Sequence, residues 1–180
     1  MSVREERAGL HAHHASAPAS VPTAVITVSD TRTLDTDTGG ALAVDLLEGA
    51  GHPVVLREIV PDEPAEIADH LLRALALEAA RAVVLTGGTG IAPRDRTPES
   101  VMPHLDRLIP GFGELFRQLS YQEIGPAALL SRALAGLARG RVVFVLPGSR
   151  GALRLAFEKL ILPELGHLVG EAAKARSRVP

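Results

Sequence analysis

The sequence predicts an α/β fold, with a mainly parallel but mixed central sheet and helices on both faces. Three observations predict it. Short β-branched runs alternate with amphipathic stretches through the first hundred residues, the pattern of parallel strands joined by crossover helices. Ala138-Arg139-Gly140 separates two later runs by a gap suited to an antiparallel hairpin, which makes the sheet mixed. No internal repeat and no linker divides the 180 residues, so they read as one domain with room for a sizeable core.

The elements follow in order. Residues 1–20, rich in Ala, His, Ser and Pro, read as a disordered tail. Its His11, His13 and His14 could take a metal, but nothing in the tail would hold them in place. Residues 23–29 form a β-branched run and predict the first strand, ended by Ser29-Asp30. Asp37 or Thr38 would cap the next helix, whose Leu42, Leu46, Leu47 and Ala50 share a face and whose end falls at Gly51. Residues 54–60 predict a second strand, and Pro61-Asp62-Glu63-Pro64 turns the chain into a helix with Ile67, Leu71, Leu72 and Leu75 inward. Residues 81–85 predict the third strand. Thr97-Pro98-Glu99 offers a cap, a first-turn proline and a first-turn acid for a helix expected to reach about Arg107. After Ile109-Pro110-Gly111, a helix with Phe112, Leu115, Phe116 and Leu119 on one face runs to Gly125-Pro126. Residues 131–137 and 141–146 are the hairpin arms, the first Ala-rich enough to be helical instead. Ser149 would cap a last helix carrying Leu153, Ala156, Phe157, Leu160 and Ile161, which Pro163 kinks or interrupts. The domain is expected over 21–170, with 171–180 frayed.

Composition removes several function classes. The apolar fraction is 46% and the charged fraction 22%, as in ordinary globular chains. A net charge of −2 gives no attraction for nucleic acid or an anionic membrane, and 3% aromatics give no base-stacking platform. The absence of Cys excludes disulfides and thiolate sites and fits a cytoplasmic protein. No apolar run is long enough to span a bilayer, and the N-terminus has no signal-peptide core.

The chemistry concentrates after the strands. In sheets of this kind ligands bind beyond the carboxyl ends of the strands, which would bring Ser29-Asp30, Asp62 and the loop after residue 85 to one edge. That loop, Thr86-Gly87-Gly88-Thr89-Gly90, can turn backbone N–H groups toward an anion, with hydroxyls from Thr86 and Thr89. It is neither a Walker A motif nor a dinucleotide fingerprint, and on glycines alone it could be a tight strand-to-helix turn. Asp95 sits just beyond it between Arg94 and Arg96. With Asp62 it could hold Mg²⁺ on a nucleotide, an arginine neutralising phosphate charge. The alternatives are a turn acid paired with its neighbours for Asp95 and a helix-start acid for Asp62. Pro147-Gly148-Ser149 reads either as a second anion site or as a plain serine cap. A serine-hydrolase reading is poor, because the first glycine of a nucleophile elbow is missing. His52, His70, His104 and His167 show no metal-ligand spacing.

Taken together, Thr86-Gly87-Gly88-Thr89-Gly90, Asp95 and Thr97-Pro98-Glu99 resemble the signature of the molybdenum-cofactor biosynthesis family that includes MogA and MoaB. Thr27-Val28-Ser29-Asp30, Val60-Pro61-Asp62-Glu63, Pro110-Gly111-Phe112-Gly113-Glu114 with Arg117, and Leu146-Pro147-Gly148-Ser149 extend the resemblance over about residues 22–168. Leu119-Ser120-Tyr121-Gln122-Glu123-Ile124-Gly125 and the segment after Ser149 are more similar to MoaB. The resemblance implies a three-layer αβα sandwich and transfer of AMP from MgATP to molybdopterin, with release of pyrophosphate. It implies that Asp62 and Asp95 are the catalytic, Mg²⁺-associated pair. Ser29, Asp30, Thr86, Gly87, Gly88, Thr89, Gly90, Arg94, Pro147, Gly148 and Ser149 would line the substrate and nucleotide site. It further implies a homotrimer or homohexamer and hand-over of product to a molybdate-insertion enzyme. The alternative is a non-catalytic molybdopterin carrier or scaffold. Some MoaB-type proteins lack the arginine-aspartate pair after the loop; here Arg94-Asp95 is intact.

Overall fold

The computed structural model describes residues 17–176, and His11, His13 and His14 lie outside that range. Six strands form one sheet: β1 (Thr23–Val28), β2 (Val54–Val60), β3 (Ala82–Thr86), β4 (Arg107–Leu108), β5 (Leu134–Ala138) and β6 (Arg141–Leu146). Their order across the sheet is β2-β1-β3-β6-β5-β4. β1, β2, β3 and β6 run parallel, and β5 and β4 return antiparallel. The helices are α1 (Thr38–Gly49), α2 (Pro64–Ala76), α3 (Thr97–Val101), α4 (Pro110–Ile124), α5 (Arg150–Ala156) and α6 (Leu162–Arg176).

Strand periodicity divides the core into two. Val25, Val84, Phe144 and Leu146 point to one face, where Leu42, Leu47, Phe116, Leu153 and Leu165 from α1, α4, α5 and α6 cover them. Ile26, Leu85, Val143 and Val145 point to the other, covered by Ile67, Leu71 and Leu75 of α2 and by Val101 of α3. The result is the expected three-layer αβα sandwich. β1, β3 and β6 are buried along their whole length, which is why their sequences are largely apolar rather than alternating.

Several local expectations meet their mechanism. Asp37 caps α1 by accepting from Gly40 N at 2.8 Å, and Gly51 follows α1 with φ +82°. Arg139 and Gly140, both at positive φ, turn the β5–β6 hairpin, which settles the Ala-rich first arm as strand. Three differ. The helix expected to reach Arg107 stops at Val101 and tightens into a 3₁₀ turn over Met102–His104. Pro103 lacks the N–H that a helix needs, and Asp106 N instead donates to Leu137 O, so Arg107 joins the sheet edge. On α4 the buried residues are Phe112, Gly113, Phe116 and Ser120, while Leu115 faces outward. Ahead of Pro163 the last helix widens into a π-helical turn over Phe157–Ile161, with Leu162 N donating five residues back to Phe157 O. The helix then continues to Arg176, past the expected domain end, with Ala172 buried. Within the segment expected as tail, Ser20 Oγ donates to Gly51 O at 2.9 Å and Pro18 lies against Gly166.

Candidate functional site

Sheet register brings the strand ends level. Val28 pairs with Val60, Thr27 with Thr86, and Thr86 with Leu146. The segments starting at Ser29, Pro61, Gly87 and Pro147 therefore leave the same edge side by side. Ser29 N donates to Val60 O and Gly87 N to Leu146 O, so the sheet's hydrogen bonding runs into the loops. Thr86 Oγ1 donates to Pro147 O at 3.2 Å, tying the glycine loop to the last loop.

At Gly87 and Gly88 the loop passes too close to its neighbours for a side chain. Gly87 has φ +105° and a Cβ there would overlap the Val28 carbonyl oxygen; Gly88 has φ +60° and a Cβ there would overlap Thr97 Oγ1. Thr97 was expected to cap a helix. Its hydroxyl instead donates to Gly87 O at 2.8 Å, while its N–H donates to Gly88 O at 3.0 Å. Behind the next two residues lies Arg132, whose Nε donates to Gly90 O at 2.8 Å and Thr89 O at 3.4 Å. The same guanidinium donates to Asp95 O and to the Glu99 carboxylate. The amides of Gly88, Thr89 and Gly90 make no hydrogen bond among the described residues.

In front of the loop is a cavity of about 360 Å³. Gly87, Gly88, Thr89, Gly90 and Asp95 make one wall, and Pro147, Gly148, Ser149 and Ala152 another. The third wall is largely apolar, from Phe116, Ile124, Ala128 and Leu130 with the hydroxyl-bearing Ser120 and Ser131. A polar, amide-rich side thus faces an apolar side across a space sized for a small molecule. Ser149 both lines this cavity and caps α5, accepting from Ala152 N at 3.3 Å.

The remaining sequence-predicted residues surround it. Asp62 lies beneath Gly88, whose Cβ would stand 3.0 Å from Asp62 Oδ1. That oxygen is buried and has no hydrogen-bond partner among the described residues. Burial pushes the Asp62 carboxyl up from its ordinary pKa, and the carboxylates of Asp95 and Asp30 push it further. Arg94 and the Arg96 N–H pull partly the other way. Asp95 Oδ2 accepts from Ala92 N at 2.9 Å, which closes the turn after the glycines. Arg94 turns away from Asp95 to Asp30 at 2.8 Å and Glu63 at 3.1 Å. Asp30 Oδ1 also accepts from Asp62 N at 3.0 Å. Ser29 borders a separate hollow of about 110 Å³ behind Gly87 and Gly148, shared with Arg32, Asp37 and Thr38. Asp30 opens on a broad depression with Arg57, Glu58 and His70. The structure therefore gathers residues 87–90, Asp95 and residues 147–149 around one cavity, while Thr86 is buried behind it with its hydroxyl donating to Pro147 O. Asp62 sits under its floor, and Ser29, Asp30 and Arg94 stand outside that cavity.

Sequence reasoning missed the apolar wall and the two residues that hold the loop from behind. Phe116 and Ser120 looked like a helix face that fills the core, although a serine four residues after a buried Phe is a departure from such a face. Arg132 stood inside a presumed strand arm and gave no signal.

Comparison with known proteins adds the following. A family model described as a probable molybdopterin binding domain matches residues 24–167. The molybdenum cofactor biosynthesis protein B of Halalkalibacterium halodurans is 50% identical over 165 residues, covering 91% of this chain and 97% of that protein. A crystal structure of a molybdenum cofactor biosynthesis protein B matches with a TM-score of 0.86 at 49% identity, over 88% of this chain and 99% of that one. The tungsten cofactor synthesizing protein MoaB from Pyrococcus furiosus matches with a TM-score of 0.79 at 40% identity, over 87% of this chain and 99% of that one.

Proposed function

Because the chain belongs to the MoaB/MogA family of molybdenum cofactor biosynthesis proteins, we propose that it adenylylates molybdopterin with MgATP and releases pyrophosphate. The observation that carries this reading is Asp62 Oδ1: a buried carboxylate oxygen without a partner, directly under an amide-rich loop. Burying such an oxygen unpaired is costly, and a bound cation would supply the missing contact.

In the proposed step an oxygen of the pterin's terminal phosphate attacks the α-phosphorus of ATP. The new P–O bond forms as the bond to the β-phosphate bridge breaks, and the electron pair leaves with pyrophosphate. The Gly88, Thr89 and Gly90 amides would hold phosphate oxygens, and the Phe116–Ile124–Leu130 wall would take the flat ring. Asp62 and Asp95 would hold Mg²⁺. When bound, the ion supplies neutralising charge to the phosphates. Two carboxylates facing phosphate oxygens are a donor set of the kind that fits the ion. Mg²⁺ is commonly held by one or two carboxylates together with substrate phosphates. Arg94, held by Asp30 and Glu63, would keep the two acidic loops together rather than meet phosphate directly. Self-association as a trimer or hexamer and hand-over to a molybdate-insertion enzyme belong to the same proposal. Exposed Tyr121, Ile124, Leu129 and Leu130 near the cavity offer apolar surface for such contacts.

The test is pyrophosphate release from the full chain given molybdopterin, Mg²⁺ and ATP. Asp95→Asn should lower it by about 100-fold or more, the scale of losing one aligned electrostatic group in a site. Equal, null turnover in both proteins, with pterin binding intact, would leave the carrier reading and end this one.

A further inference from the structure

The glycine loop has a two-sided construction whose back side nothing yet explains. In a trans peptide the C=O of one residue and the N–H of the next point in opposite directions, and no peptide bond here is cis. Anchoring a carbonyl therefore aims the following amide. Thr97 anchors the carbonyls of Gly87 and Gly88. Arg132 anchors the next two, Thr89 and Gly90, through Nε, and Arg132 N adds a bond to Thr89 O at 3.3 Å. The amides of Gly88, Thr89, Gly90 and Ile91 are thus turned away from Thr97 and Arg132. The cavity lies on the opposite side: Gly88, Thr89 and Gly90 line it, whereas Ile91 and Arg132 line a different hollow with Ala92, Pro93 and Glu99.

We propose that Arg132 is a positioning residue that sets the direction of the loop's amides and the place of Asp95, and so creates the anion site without touching the anion. The inference rests on the reading that this loop receives phosphate. The guanidinium has the geometry for the task. Its fork reaches Thr89 O, Gly90 O, Asp95 O and the Glu99 carboxylate at once. Neutral carbonyls bound by a charged donor make stronger hydrogen bonds than neutral pairs do. Glu99 fixes the far end of the fork, so the arginine is held by an acid while it holds the loop. A lysine would bring the same charge but only a point donor, unable to span these acceptors. The guanidinium supplies the side-chain anchor of the Thr89 and Gly90 carbonyls and holds the Asp95 carbonyl beside the turn bonds between Asp95 and Ala92.

The test compares the full chain with Arg132→Lys and Arg132→Ala, using sodium pyrophosphate as probe and the backbone amide resonances of Gly88, Thr89 and Gly90 as readout. In the unsubstituted protein the titration should shift these amides in concert. Arg132→Lys, which keeps the charge, should bind pyrophosphate at least about tenfold more weakly and lose the concerted shift, with Gly90 affected more than Gly88. Arg132→Ala should lose at least as much, and millimolar methylguanidinium should restore part of it, a rescue that a purely structural defect would not show. Wild-type affinity and shifts in Arg132→Lys would overturn the proposal, since charge alone would then suffice. So would an unsubstituted protein whose loop amides ignore pyrophosphate. If the expected pattern appears in a protein without pyrophosphate release from ATP, the adenylylation reading fails while the role of Arg132 stands.

Discussion

Gly88→Ala tests the loop where its geometry is tightest. Two costs add. The backbone sits at φ +60°, where a Cβ costs about 1–2 kcal/mol. The new methyl would also overlap Thr97 Oγ1, displacing the hydroxyl that donates to Gly87 O, a further loss of about 1 kcal/mol. The expected destabilisation is about 2–3 kcal/mol, which lowers the melting temperature of a domain this size by about 5–10 °C. Two control glycines separate the terms. Gly51 has φ +82° with nothing near a built Cβ, so Gly51→Ala should cost the backbone part alone, about 1–2 kcal/mol. Gly49, helical and open, should be neutral or stabilised by up to about 1 kcal/mol as Ala. Urea unfolding of the three variants beside the parent gives all three differences. If Gly88→Ala falls within about 0.5 kcal/mol of Gly51→Ala, the loop is not pinned by Thr97, and the aiming of its amides loses half of its basis.

Two further predictions concern protonation. Asp62 has a folded pKa above its ordinary 3.8, so between those values the folded protein binds more protons than the unfolded chain. Its carboxylate therefore destabilises at neutral pH and is relieved as pH falls; Asp62→Asn should be the more stable protein at pH 7 while losing turnover, and its advantage in urea unfolding should shrink toward pH 4. An advantage independent of pH would contradict this assignment. His52 is the opposite case: burial lowers its pKa below 6.5, and its Nδ1 accepts from Val21 N at 3.1 Å, which requires the neutral ring. Its contribution is complete above pH 6.5 and declines as pH falls through and below that value, because the unfolded chain then takes up the proton more readily. Urea unfolding at pH 7.5 and 5.5 should show a loss for the parent that is smaller in His52→Asn; equal losses would place the sensitivity elsewhere.

The parts of this protein that were legible in its sequence are those whose physics is local. Buried parallel strands must be largely apolar, so β1, β3 and β6 announced themselves. A hairpin turn with two residues at positive φ needs a residue such as Gly140, and Gly140 was visible. The strand ends of a parallel sheet share an edge, so the convergence of Ser29-Asp30, Asp62 and the glycine loop follows from topology, while the place of Pro147 beside them rests on the family resemblance. What stayed hidden depends on partners far along the chain. Arg107 is a strand residue only because β5 accepts it, and helix signals from Thr97 onward had no means of showing that.

The glycine loop carries the same lesson into chemistry. Its sequence displays glycines whose N–H groups can face an anion, but a free amide and an aimed amide are different things. An unanchored glycine loop samples many conformations and would spend binding energy on ordering them. Here each carbonyl from Gly87 to Gly90 is taken by a residue after the loop, Thr97 at ten positions' distance from Gly87 and Arg132 at forty-two from Gly90. The order is thus imposed from behind, by side chains that need never contact the ligand. Those two residues cannot be found by searching for groups that face the cavity. They can be found by asking, of every carbonyl in the loop, which donor holds it.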